Sequence, residues 1–264
     1  EYIFRKLQFK VGRDGDKLLV EPEAHRIDIQ GEIDLVEEVV RIYGYDNIPS
    51  TLPEGMTNTL KVEYKVSLVE KVKELLTSNG LNEIVSYSFI DPKSYPKLGY
   101  EVEASPSLRV MNPLSETQSV MRERLLPGII EIASRNYKRQ RRQIDIFEIG
   151  RVYKAVGERL PREELHLGIF LLENTAKSWY GAEQNDFYTL KGIAENLLKQ
   201  ISDETFRYIP VSSEKTFHPG RTAAIMAADE CIGYIGELHP LILEEYDIRE
   251  KACYLEIDLT SFQS

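Results

Sequence analysis

Apolar residues recur at helical spacing in four stretches of the chain and alternate in most of the others. The spacing predicts a helix over residues 33–43, with Leu35, Val36, Val39, Val40 and Tyr43 on one stripe and Gly44 closing it. A longer helix is predicted over 63–79, where Val66, Val69, Val72, Leu75 and Leu76 form a wide stripe that stops at Asn79-Gly80. Residues 125–139, with Pro127 in the first turn, and 186–201, with Phe187, Leu190, Ile193, Leu197 and Ile201 in phase, predict two more. Residues 3–20 predict two short strands joined at Arg13-Asp14-Gly15-Asp16. Further strands are predicted over 84–90, 144–152, 166–172, 222–227, 232–238 and 252–257. Residues 91–100 predict a loop or short helix, and 240–246 a short helix. Clustered strands with helices on one side predict an α+β fold around an antiparallel sheet. Pro49 and Pro53 mark a linker, so the expected division is 1–49, a linker over 50–62, and 63–264.

Composition narrows this only a little. The 264 residues are 42% hydrophobic and 29% charged, as in an ordinary globular protein. No run of 18 apolar residues suggests a membrane helix, and no basic-then-apolar leader opens the chain. The chain opens on Glu1 with alternation already under way by residue 3, which predicts a piece of a longer protein. Cys231 and Cys253 stand apart and read as free thiols, which suits a cytoplasmic location. A net charge of −10 argues against a module that holds nucleic acid alone, because phosphate contacts need a basic face.

The densest chemistry lies between Asp28 and Glu38. On a helix, Asp34 meets Glu37 and Glu38 three and four residues on, and Asp28 can bend back toward them. Something must offset the repulsion. Carboxylate oxygens are the donors Mg²⁺ prefers, and Mg²⁺ often takes only part of its shell from one chain. Spacing equally fits a capping box formed by Asp34 with Glu37, the other acids being a solvated face favoured by the helix dipole.

The run Arg26-Ile27-Asp28-Ile29, continued by Asp34-Leu35-Val36-Glu37-Glu38-Val39-Val40-Arg41-Ile42-Tyr43-Gly44-Tyr45-Asp46-Asn47-Ile48-Pro49, resembles the β subunit of bacterial phenylalanyl-tRNA synthetase. Four more runs match in order: Met111-Asn112-Pro113-Leu114-Ser115 with Ser119 to Arg122 and Leu125-Leu126-Pro127-Gly128; Phe147-Glu148-Ile149-Gly150-Arg151-Val152-Tyr153; Asp186-Phe187-Tyr188 with Leu190-Lys191-Gly192; and His218-Pro219-Gly220-Arg221 with Ile235-Gly236-Glu237-Leu238-His239-Pro240. The resemblance implies a small DNA-binding-type, winged-helix-like domain followed by a class II synthetase-like core without catalysis. It also implies an α₂β₂ heterotetramer whose α subunit carries the active site, uses ATP and charges tRNA(Phe) with phenylalanine. The positions matching the family's Mg²⁺ ligands are Asp28, Asp34, Glu37 and Glu38, in a site shared with the α subunit. The family usually has Pro-Ser-Trp before the Arg of this run, and Glu23-Ala24-His25 stands there instead.

Class II chemistry places one Arg in an Arg-x-Glu signature and another in a Gly-rich C-terminal signature, where they meet developing negative charge. Asp145-Ile146-Phe147-Glu148 has no Arg before the Glu, and Gly233-Tyr234-Ile235-Gly236-Glu237-Leu238 has none to grip a phosphate. The piece alone is therefore expected to be inactive and not to bind ATP itself. Its expected role is assembly, the helix over 63–79 meeting an α-subunit helix through Val66, Val69, Val72 and Leu76. Arg221, in His218-Pro219-Gly220-Arg221, is a candidate anion contact, against the plainer reading of a tight turn. Arg139, Arg141 and Arg142 are candidate tRNA contacts, against the plainer reading of basic residues at a helix end. His166 reads as structural, and Trp179-Tyr180 as an interface anchor or a lid. A nucleic-acid-binding module is the alternative function, and a freestanding Mg²⁺ enzyme on the acidic cluster ranks last.

Overall fold

The computed structural model describes residues 1–51, 64–100, 108–157, 160–173, 177–178, 181–182 and 186–263; for 64–66, 177–178, 181–182 and 263 it describes the backbone only. The chain divides into two compact units, 1–60 and 61–264.

In the small unit, helix α1 (Tyr2–Lys6) leads into a hairpin of β1 (Lys10–Asp14) and β2 (Lys17–Glu21). The alternation at the start predicted a strand where α1 stands; its one buried residue, Phe4, stacks on Phe9 with ring centroids 6.1 Å apart. Strand pairing runs to Asp14 opposite Lys17, and Gly15 supplies the positive φ of +59° that the two-residue turn needs. Helix α2 (Glu32–Tyr43) follows, ended by Gly44 at φ 99°. Its stripe is only partly covered, with Val36 and Tyr43 exposed, as are Ile27, Ile33 and Tyr45.

The large unit is built on a mixed sheet of seven strands in the order β10-β11-β12-β13-β7-β6-β3. These are β3 (Asn82–Glu83), β6 (Asp145–Lys154), β7 (Arg162–Leu172), β10 (Phe206–Pro210), β11 (Phe217–Ala227), β12 (Glu230–Leu238) and β13 (Ala252–Asp258). All neighbours are antiparallel except β3 and β6, which run parallel, so the expected purely antiparallel sheet is corrected at one edge. The strand expected over 84–90 is not continuous: β3 ends just before it, and within it only β4 (Phe89–Ile90) forms a ladder, pairing with β5 (Val120–Met121) away from the main sheet. Strands β8 (Lys177–Ser178) and β9 (Gly181–Ala182) form a separate short hairpin, and Trp179 and Tyr180 lie outside the described residues.

Helices cover both faces of the sheet, not one. Helix α3 (Tyr64–Ser78) buries Leu68, Val72 and Leu76, and α6 (Phe187–Ile201) buries Leu190, Ala194, Leu197, Leu198 and Ile201. They share a core with Phe147, Ile169, Leu171 and Leu255 of the sheet. Asp186 starts α6 by accepting the Thr189 N–H at 2.9 Å. On the opposite face α5 (Leu126–Lys138) and α7 (Pro240–Glu245) lie over Ile146, Phe170, Leu172 and Tyr254. The short helix α4 (Ser94–Lys97) falls in the segment read as loop or short helix.

The interface stripe expected on α3 is corrected here. Val72 and Leu76 have no exposed surface and Val69 is half-buried, because the stripe serves the chain's own core; the Val66 side chain lies outside the described residues.

Candidate functional site

The four candidate metal ligands of the small unit, Asp28, Asp34, Glu37 and Glu38, do not act as one group. Asp34 is the third residue of α2, and its Oδ2 accepts the N–H groups of Gln30 and Gly31, both at 2.8 Å. It is thus the back-reaching half of a helix cap whose first position is Gly31; Glu37 takes no part, so the capping box expected between Asp34 and Glu37 is corrected. Asp28 accepts the Arg26 guanidinium at 2.7 Å, and the same guanidinium reaches Glu38 at 2.9 Å. Glu38 is buried, and Arg41 holds its second oxygen at 2.6 Å. These bonds hold the carboxyls of Glu38, beside Arg41 and Arg26, and of Asp28, beside Arg26, below the usual carboxylate range. Arg26 also lies over the Phe9 ring, 5.4 Å from its centroid. So a guanidinium already offsets the repulsion that called for a metal ion. As arranged, the four carboxylates are not gathered as ligands: among the described residues, the group of three donors within 4.8 Å of one another lies elsewhere.

That group belongs to the polar patch of the main sheet. Strand alternation puts Glu148 on one face of β6, Glu164 and His166 on the matching face of β7, and Tyr254, Glu256 and Asp258 on that of β13; Gly150 pairs with His166, and His166 with Asp258. Glu256 is the hub. Its Oε1 accepts the His166 Nδ1–H at 2.8 Å and the Leu125 N–H at 3.1 Å, and its Oε2 the Tyr254 hydroxyl at 2.6 Å. Burial pushes its carboxyl up, but the hydrogen bond and charge of His166 and the nearby Arg124 more than offset this, leaving it at about 2. For His166, burial works against the charged form, and the Glu256 hydrogen bond together with the charges of Glu256 and Asp258 outweighs it and raises the ring above its ordinary value. Glu164 bonds the other ring nitrogen at 3.2 Å, and Arg162 bonds Glu164.

Glu148 stands where a class II Arg-x-Glu strand is expected, and here it is structural. Arg122 supplies the guanidinium, 2.6 Å from Glu148 Oε1, and both side chains are almost fully buried. The Ser86 hydroxyl donates to Glu148 Oε2 at 2.7 Å, and Arg122 Nε donates to the Arg151 carbonyl at 2.9 Å. Gly150 makes room, since a Cβ there would lie 2.2 Å from Arg122 Nη2.

The expected tight turn at His218-Pro219-Gly220-Arg221 is instead part of β11, bulged where the register shifts between Phe217 and Thr222. Arg221 pairs with Glu237 at 2.5 Å. Of the basic run at the end of α5, Lys138 pairs with Asp247 at 2.7 Å and Arg142 lies over Tyr137, 4.3 Å from its centroid, while Arg139 and Arg141 are exposed.

The described residues of the large unit also carry an exposed apolar strip. Val85 is 84%, Tyr87 75% and Phe89 42% exposed. Met111 and Leu114, on the loop between Arg109 and β5, are 100% and 97% exposed.

The family model described as the phenylalanyl tRNA synthetase beta chain CLM domain matches residues 48–259, and that of the tRNA synthetase B5 domain matches residues 1–45. Phenylalanine–tRNA ligase beta subunits of Carboxydothermus hydrogenoformans and Moorella thermoacetica are 39% and 37% identical over 260 residues, 97% of this chain. The chain spans 32% of the length of each of these curated relatives. Among solved structures, pyrrolysyl-tRNA synthetase of Desulfitobacterium hafniense matches with a TM-score of 0.58 at 19% identity, over 75% of this chain and 67% of that one, and so shares the fold alone. The fold is that of a class II synthetase core, and the chain belongs to the phenylalanyl-tRNA synthetase beta chain family.

Proposed function

We propose that this chain is a non-catalytic brace for the α subunit of a phenylalanine–tRNA ligase, within an α₂β₂ enzyme that charges tRNA(Phe) in the cytoplasm. The observation that carries it is the exposed strip of Val85, Tyr87 and Phe89, with Met111 and Leu114 exposed on the loop before β5, since side chains this apolar and exposed mark a surface built to be covered. Two positions support the passive half of the reading: Glu148, at the Arg-x-Glu strand, is paired internally with Arg122, and Arg221, the candidate anion contact, with Glu237. ATP is then used by the partner. The shared Mg²⁺ is part of the proposal only if the partner draws Arg26 away from Asp28 and Glu38; the number of acids between Asp28 and Glu38 supports it, and their present pairing does not. The helix–hairpin–helix order of the small unit supports a DNA-binding-type architecture, and the net charge of −10 weighs against nucleic-acid binding as the main role.

The test is co-purification with a bacterial phenylalanine–tRNA ligase α subunit. Deleting α3 would remove Leu68, Val72 and Leu76 from the core, so surface variants serve better. Val85→Asp with Tyr87→Asp should abolish capture and leave the urea midpoint unchanged. Capture equal to that of the unaltered chain would refute the brace.

A further inference from the structure

The polar patch where β7 meets β13 holds a set of donors that the synthetase reading leaves unused. We propose that Glu164, His166 and Asp258 bind a divalent transition-metal ion of the Zn²⁺ type, with Glu256 orienting the histidine from outside. One ligand atom from each residue lies within 4.8 Å of the other two, in the one such group among the described residues. His166 Nε2 and Glu164 Oε2 are 3.2 Å apart. Two ligands held about 2.05 Å from a tetrahedral ion would be about 3.3 Å apart, so this pair already has the required separation.

Each donor is also fixed from behind. The His166 Nδ1–H donates to Glu256 at 2.8 Å, the carboxylate–histidine relation that orients metal-bound imidazole and aims Nε2 at the ion. Glu164 gives its other oxygen to Arg162, and Asp258 accepts the Thr260 N–H at 2.8 Å. Glu256 is held in turn by Tyr254 and the Leu125 N–H. Strand geometry sets the grouping, because Glu164 and His166 are two apart on β7 and Asp258 is the cross-strand partner of His166. The imidazole donor selects against Mg²⁺, which takes oxygen, and so separates this site from the acidic run of the small unit. Asp258, only half-buried, lies on the entry side.

The competing account is an imidazolium bridging two carboxylates with no ion. To decide, the chain is stripped with a chelator and titrated with Co²⁺, whose visible absorption reports nitrogen and oxygen ligation, and Zn²⁺ is then used to displace it. The expected result is one equivalent of Co²⁺, displaced by Zn²⁺, with affinity reduced at least about tenfold by Glu164→Gln and by Asp258→Asn. Asp258→Asn keeps an oxygen for Thr260, so its fold serves as the control and is checked by far-UV circular dichroism. Asp34→Asn with Glu37→Gln should leave the titration unchanged. No visible band, a band indifferent to Glu164→Gln and Asp258→Asn, or a band lost with Asp34→Asn and Glu37→Gln would each overturn the proposal.

Discussion

Replacing Glu148 by alanine should destabilise the large unit more than any surface change. The substitution leaves the Arg122 guanidinium, 4% exposed, without the carboxylate 2.6 Å from it, and frees the Ser86 hydroxyl as well. Removing one partner of a buried, hydrogen-bonded ion pair costs about 3–5 kcal/mol, chiefly because the remaining charge stays buried. Arg122 keeps its bond to the Arg151 carbonyl and its contact with Ser86 Oγ, which places the expectation at about 3–4 kcal/mol. For a unit of this size each kcal/mol lowers Tm by about 2–4 °C, so the expected fall is about 6–16 °C. Urea unfolding followed by circular dichroism, with linear extrapolation, measures it directly. Arg122→Met with Glu148→Leu should recover most of the loss, because an apolar pair leaves no buried charge. A Glu148→Ala loss below about 1 kcal/mol, or a double variant worse than the single one, would refute the reasoning.

Glu256 predicts a pH dependence. Its folded carboxyl is lowered from 4.5 to about 2, so the stability it contributes is present above 4.5 and is lost as pH falls from there toward 2. With chelator present, the acid limb of a urea-midpoint profile should flatten in Glu256→Gln; an unchanged limb would contradict it. Burial pushes the Cys253 thiol up to about 12, whereas Cys231 is exposed, so a thiol reagent at pH 8 should label one cysteine in the folded chain and two in urea. Gly233→Ala should cost at least about 3 kcal/mol, since its Cβ would lie 2.1 Å from the Glu256 carbonyl oxygen. Gly192→Ala, on α6 with nothing within 4 Å, should stabilise by about 0.5–1 kcal/mol. Equal effects in the two variants would discredit the steric argument.

Elements with a long apolar period were legible in the chain: α2, α3, α5 and α6 stand within a residue or so of the expected spans. Short elements were not. The stretch before the first hairpin alternates like a strand, yet folds as α1 because burying Phe4 on Phe9 outweighs the local pattern. Pro-Gly in residues 219–220 has the chemistry of a turn, but the neighbouring strands absorb it as a bulge in β11. The α3 stripe pointed to an apolar contact without saying whose, and the sheet of the same chain claims it. In the candidate sites, spacing found the acids but not the arginines that meet them. Arg26 reaches Glu38 across 12 residues and Arg122 reaches Glu148 across 26, distances at which periodicity carries no signal. The Glu164, His166, Glu256 and Asp258 group did leave a trace, because polar residues two apart in strands otherwise apolar mark one face of a sheet.

The grip of Arg122 on β6 has a consequence beyond stability. Strand β3 covers only Ile146 and Phe147 of that outer border, and the bare stretch beyond would invite a stray strand to add on. Arg122 fills it with its own backbone and side chain, accepting the Tyr153 N–H at 2.9 Å and donating to the Arg151 carbonyl. At the far border β10 carries Pro210, which has no N–H to offer, and the charged Arg207. Open-ended ribbon growth, the route by which exposed sheets seed fibrils, is therefore obstructed at both margins before any partner arrives.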